Sequence, residues 1–497
     1  MKVPVEFGEW RPDVALLDSK FASEVENVYP GVNSYKPFPG LLPFGPVLPA
    51  TPTAACGLFA ARTSSGSWKI YAGTTTKLYV LVSFAWTDIS SAAYSVTPGH
   101  QWRFAQFGTK LIAVTNAENP QVVDVDAGGN FAALGGSPPK ATNIHVMGDF
   151  LVLSELVTTG IYNNRVIQWS AINDITGWTV GTNLSDIQEF PDGGAVVGTA
   201  GSEIGYVVQD KTIRTAQFLP GDTTYIFNFS RVLQDRGCIS RYGFTNIGNI
   251  LYFVSEDGFY AITGQQVVPI GADKVNDWWL ANSEVSKRDR VLAFSFVDKP
   301  RIAWAFHSSG SSQSYYDRLL IYDWSNQRWS HVTEQAQVWA VLASTDLDLD
   351  TTGSEPNDAD LDSAALSLDS FAYVGGRPLI GAIDESGFLS SLAGPNLPAT
   401  METVERHLGS GTRAFVSEVY PLEDGASSAL GTIAAGTRER LQDAVVWNPA
   451  VGIEITGSAA AFSSARLHRF RRSIPQAATW THAQGVVVEA QQDGTVA

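Results

Sequence analysis

Two cysteines, Cys56 and Cys238, in 497 residues exclude a disulfide scaffold. A pair so far apart matches no zinc motif, and both read as small buried apolar residues. No apolar run approaches the roughly 20 residues of a membrane helix. The opening MKVPVEFGEW lacks the apolar core of a signal peptide. The expectation is a chain made in the cytoplasm, with no stable membrane insertion. Basic residues are scarce: 33 Lys and Arg stand against 50 Asp and Glu, a net charge of −17. Such a chain is poorly suited to wrapping nucleic acid, whose phosphates are held by clustered cations. An acidic wall would instead let DNA slide past without sticking. Catalytic signatures are missing too. There is no G-x-S-x-G, no P-loop, no H-E-x-x-H and no G-x-G-x-x-G after a strand. The seven histidines (100, 145, 307, 331, 407, 468, 482) are scattered and form no ligand pair. No cofactor and no enzymatic activity are expected.

What is abundant is aromatic and turn-forming. The chain holds 25 Phe, 16 Tyr and 14 Trp, with 45 Gly and 24 Pro. This is the composition of an ordered, loop-rich β protein. Residues 248–271, GNILYFVSEDGFYAITGQQVVPIG, contain one β-unit whole. Strands at 250–254, 259–263 and 267–270 are separated by polar, Gly-bearing turns. Looser versions recur at 68–82, 108–125, 148–169, 201–218, 300–332 and 371–389. Their starts lie roughly 40–70 residues apart, against roughly 40–50 for a four-stranded propeller blade. The predicted fold class is therefore all-β: a β-propeller of six or seven blades over 54–400. Trp86, Trp102, Trp169, Trp178, Trp304, Trp324, Trp329 and Trp339 sit near strand ends, where large rings fill the space between blades.

Residues 1–53 read as an extended arm. Residues 13–28 have the composition of a short helix. The stretch 29–52 is Pro-rich, and its missing backbone donors argue against regular sheet pairing. Its Tyr29, Tyr35, Phe38, Leu41 and Phe44 must lie on something, either this chain's own propeller or a neighbouring subunit. An acidic insertion, 346–370, interrupts the blade array. It fails the EF-hand pattern, with Thr351 where Gly is required and Asn357 where Glu is required, and reads as a solvated loop. Residues 401–497 read as a small β-sandwich. Within it, Arg466, His468, Phe470 and Arg472 fall on one face of a strand, and Leu467, Arg469 and Arg471 on the other. Five basic groups in seven residues suit an acidic surface of a neighbouring subunit better than phosphate.

Several of these stretches, taken in order, resemble the tail nozzle proteins of short-tailed bacteriophages, also known as packaged-DNA stabilisation or tail tubular proteins. FASEVENVYPGVNSYKPFPG is similar to the opening segment of that family, and RVIQWSAINDITGW to an element midway along it. The 248–271 unit, YDWSNQRWS, RAFVSEVYPLEDG and SIPQAATWTHAQGVVVEAQQDG resemble its later blades and C-terminal domain. The resemblance implies a structural virion protein in the tail, a homo-oligomer, commonly a hexamer. It would be mounted below the portal and its adaptor protein and would meet tail needle or fibre proteins. Double-stranded DNA would pass through transiently and without sequence specificity. The arm residues above and Arg466, Arg469, Arg471 and Arg472 are the candidate subunit contacts. An alternative is a carbohydrate-binding or carbohydrate-cleaving propeller, because Ser255-Glu256-Asp257-Gly258 approximates the Asp-box turn of sialidases. That turn speaks to fold rather than chemistry.

Overall fold

The structure is a computed structural model describing residues 1–15, 20–49, 55–158, 161–221, 225–344, 376–409, 412–425 and 431–493. Among these, the helical pieces are Asn276–Asn282 and the short 3-10 turn Val285–Arg290, and the rest of the regular structure is strand. No helix among the described residues is long and apolar enough to cross a membrane. The acidic insertion lies outside the described residues.

The unit at 250–269 shows how the sequence builds a sheet. Ile250–Ser255 turns back on Gly258–Thr263 through two residues, Glu256 and Asp257, and Thr263 pairs with Gln266 across the next turn. Gly258 has φ +133°, and a β-carbon there would lie 2.0 Å from the Asn276 side chain, so no other residue fits. Asn276 also accepts a hydrogen bond from the Phe259 amide at 3.3 Å, which seats the 276–282 helix on this sheet.

Sets of four antiparallel strands repeat along the chain at 55–88, 103–133, 140–189, 196–234, 244–269 and 292–332. A seventh comprises Ala336–Ala343, Pro378–Asp384, Phe388–Ser391 and, from far upstream, Leu42–Val47. The described residues of each of the seven units singled out in the sequence fall within one of these sheets. The first strand of each sheet lies beside the first strand of the next, and Ala336–Ala343 of the seventh lies beside Ala55–Arg62 of the first. There the Ala55 amide donates to Gln337 Oε1 at 3.0 Å. Separate apolar clusters fill the gaps between adjacent sheets: Leu58, Ile70, Val338 and Leu389 between seventh and first, Tyr71, Trp102 and Leu111 between first and second. Seven of the eight tryptophans named above are buried there or in equivalent gaps; Trp324 is the exception, 41% exposed on the turn after Arg318–Asp323.

Residues 1–49 are not a separate arm. Lys2–Glu6 pairs with His482–Gln492, and Tyr35–Pro37 pairs with both Val28–Pro30 and the 482–492 strand. Val25–Glu26 is wedged between Arg328–Val332 of the sixth sheet and Ala399–Glu402, joining them into one 11-stranded sheet. Among the described residues of the span 13–28 the expected helix does not appear. Val25 and Val28 are buried in strand pairings there, and tertiary burial outweighs a weak helical preference. The Pro-rich stretch does pair, contrary to expectation. Leu42–Val47 occupies the outer edge of the seventh sheet, a position where the missing donors of Pro43 and Pro46 are tolerated, and its register shifts between Phe388 and Ser390. The C-terminal residues form two packed sheets. One centres on Ala414–Asp424 and His482–Gln492, the other on Leu467–Ile474 and Thr432–Arg438, and both take in N-terminal strands.

Candidate functional site

The predicted contact residues are mostly consumed inside the chain. Tyr35 and Phe38 are fully buried and Tyr29 nearly so. The Tyr35 hydroxyl donates to the Gly8 carbonyl at 2.7 Å, and burial pushes its pKa up to about 12. Tyr29 packs against Phe38 at 4.5 Å and carries the Arg301 guanidinium on its ring at 4.1 Å. Leu41 and Phe44 are half-buried against the clusters beside the seventh sheet. The arm thus lies on its own chain, because its aromatic rings complete cores that the sheets leave open.

The arginine strand is likewise internal. Arg472 and Glu423 form a two-point ion pair, at 2.5 and 3.0 Å, with both side chains sealed from solvent. On the opposite face, Arg471 holds Glu402 at 2.6 and 2.8 Å and stacks on Trp447 at 4.2 Å. Arg469 meets Glu402 at 3.4 Å and Ser23 at 2.8 Å, and Arg438 holds Glu405 at 2.5 Å. The alternation read from the sequence is correct, but Arg469 and Arg472 do not reach a neighbouring subunit, since carboxylates of this chain satisfy them. Arg466 and Arg471, each part-exposed, keep an outward surface.

A second polar cluster was not foreseen. It joins the second, third, fifth and sixth sheets. The Tyr242 hydroxyl accepts from the Gln101 amide at 2.9 Å. The Gln101 side chain donates to the Tyr316 hydroxyl at 2.9 Å, and Tyr316 donates to the Arg290 carbonyl at 2.8 Å. Arg241 clasps both oxygens of buried Glu155 at 2.8 and 2.9 Å, and Glu155 is held in the left-handed region at φ +57°. Arg103 lies over the Tyr242 ring at 5.4 Å. Burial pushes Tyr242 up to about 12 and drops His100 to about 4, so His100 is a neutral imidazole at neutral pH. No sequence signal marks this cluster, because its members come from segments up to 215 residues apart.

Both thiols are protonated at neutral pH. Burial raises Cys56 and Cys238 to about 12, and Cys238 is fully enclosed. No group of three or more potential metal ligands occurs among the described residues. A cleft of about 920 Å³ separates the sixth sheet from the C-terminal sheets, lined by the 30–34 loop, Lys36, Arg301, Asp323, Asp424 and His482 among others. Its lining includes no Trp, Tyr or Phe.

No family model matches the chain. No curated protein matches it either. Among solved structures, the computationally designed Ika8 protein is 9% identical, covering 70% of this chain and 98% of its own, with a TM-score of 0.37. U3-55K is 10% identical, covering 59% and 85%, with a TM-score of 0.35. Likeness at that level carries nothing about function.

One titration stands out at the seventh sheet. Glu334 is largely buried beside Gly40 and Leu41, accepts from the Leu41 and Gln335 amides, and has Glu385 and Asp384 as acidic neighbours, with Tyr315 bonded to Glu385. Burial, then those carboxylates, push it up to about 7. A carboxyl raised on folding binds its proton more tightly in the folded chain. Its contribution is therefore whole below about pH 4.5 and is lost as pH rises through about 7, on the order of 2 kcal/mol. We expect Glu334→Gln to flatten the fall in denaturation midpoint between pH 5 and 8. Identical profiles for the two proteins would remove Glu334 from the account.

Proposed function

We propose that this chain is a structural virion protein of a short-tailed bacteriophage. Copies of it form the tail nozzle ring below the portal and adaptor, and the genome passes through the bore on ejection. Within each copy, we infer, the seven sheets close into a seven-bladed β-propeller, supported by the succession of neighbouring inner strands and the return of the seventh sheet to the first.

The observation that carries this reading is the threading of residues 1–49 through both C-terminal sheets, the sixth sheet and the seventh sheet. A wall that contains pressurised DNA must resist opening, and here neither unit can separate without breaking strand pairs contributed by the other end of the chain. The ordered motif resemblance and the net charge of −17 point the same way, since an acidic bore repels DNA. Gln101, Tyr242 and Tyr316 bridge sheets within one copy, so the DNA path in this reading runs between copies. Contacts between copies would fall on exposed apolar side chains of the C-terminal sheets, Val446, Val451, Ile455 and Phe462, and on part-exposed Arg466 and Arg471. The carbohydrate alternative gains no support from the large cleft, which lacks an aromatic platform for a sugar ring.

The test is mass by light scattering, for the purified chain alone and mixed with an adaptor ring. A hexamer in the mixture is the expected result. A 53.5 kDa monomer in both samples, with saturable polysaccharide binding, would replace the nozzle with the carbohydrate reading.

A further inference from the structure

Arg103 opens the inner strand of the second sheet, and its environment is unusual for a guanidinium. It is part-buried among the sheets, and burial lowers its pKa. The groups that act on it most are the neutral phenols Tyr242 and Tyr316. Among the described residues, no carboxylate pairs with it and no acceptor takes its hydrogen bonds; the Tyr242 ring lies against it, and its charge also acts on His145. Its nitrogens are nonetheless not sealed in, for they are not among the buried atoms that lack a partner. They face space that solvent reaches.

The neighbours sharpen the point. Arg241 is neutralised by Glu155. Arg290 approaches Asp289 only at 4.0 Å, and its Nε is buried without a partner. In this cluster three guanidiniums therefore stand against two carboxylates, in a chain whose net charge is −17. Tyr316 is satisfied in both directions, accepting from Gln101 and donating to the Arg290 carbonyl. Tyr242 is not: its oxygen accepts from the Gln101 amide, and its own proton has no partner among the described residues. A guanidinium that no protein acceptor engages keeps its N–H donors available, and five such donors in a planar fork match the two oxygens of a carboxylate or phosphate.

We propose that the solvent-reached space at the Arg103 guanidinium, beside Tyr242, is a binding site for a small oxyanion. Arg103 grips two of its oxygens, and the Tyr242 hydroxyl donates to one of them. The site lies within a single chain, so it stands or falls independently of the nozzle reading and of assembly.

The experiment is calorimetric titration of the full chain, exchanged into a chloride buffer, with inorganic phosphate and separately with acetate. Thermal melting is followed in parallel, because a ligand of the folded state raises the midpoint. The expected result is saturable binding of one phosphate or one acetate per chain, whichever arm responds identifying the oxyanion class. Arg103→Leu should weaken it by roughly tenfold or more, since a two-point charge-assisted contact is lost. Tyr242→Phe should weaken it less. Without added anion, Arg103→Leu should melt no lower than the native chain. If that variant does not fold, Arg103→Lys, which keeps the charge but not the fork, takes its place and should also bind more weakly. No saturable heat in either arm, or equal affinity in the native chain and the Arg103 variant, overturns the proposal.

Discussion

Replacing Arg472 with Ala is expected to cost on the order of 3–5 kcal/mol of folding stability, because it strands the sealed carboxylate of Glu423 without its partner. The denaturant midpoint should fall accordingly. It should fall by nearly the same amount at low and high salt, since ions cannot screen a pair that solvent does not reach. A double change, Arg472→Met with Glu423→Leu, should recover most of the loss, as apolar pairs of similar volume commonly replace buried ion pairs without penalty. Arg466→Ser, on a part-exposed residue, should stay within about 0.5 kcal/mol of the native chain. A near-native Arg472→Ala, or one whose deficit vanishes in salt, would mean that the pair is open to solvent in solution.

Deleting residues 1–49 should prevent cooperative folding altogether. The truncation removes Trp10, Tyr35 and Phe38, all fully buried, and a single Phe or Trp lost from a core costs about 3–5 kcal/mol. Three such losses consume a typical total stability of about 5–15 kcal/mol. The deletion also strips Leu42–Val47 from Phe388–Ser391 and leaves the edge of the seventh sheet unpaired. The expected product is insoluble, or soluble with no sharp melting transition. A truncated chain that melts cooperatively near the native temperature would restore the idea of a detachable docking arm.

These two expectations mark where the sequence was silent. The seven repeated units were legible because β-branched and aromatic runs between Gly-bearing turns are local signals, and a sheet such as 244–269 is built from residues close in sequence. The alternation of Arg469 and Arg471 against Arg472 was legible for the same reason. Their partners were not. Glu402 and Glu423 are two of 50 acidic residues, and only the strand pairing of Ala399–Glu402 with Leu467–Ile474 selects Glu402. The N-terminal segment misled because Pro content argues against a central strand and says less about an edge strand. Arg103, Gln101, Tyr242 and Tyr316 carried no signal at all, since their proximity is created by the packing of sheets far apart along the chain.

The seventh sheet also has a consequence for synthesis. Val47 leaves the ribosome about 340 residues before its partner Phe388. At roughly 5–20 residues per second, the first strand waits on the order of half a minute for the strand it must join. During that interval Leu42–Val47 is an unpaired strand on a nascent chain, and sheets one to six emerge before the last one is complete. Contacts of such long sequence separation form slowly, because the loop they close is costly. The order of translation thus makes Leu42–Val47 before the sheets it precedes and places it after them.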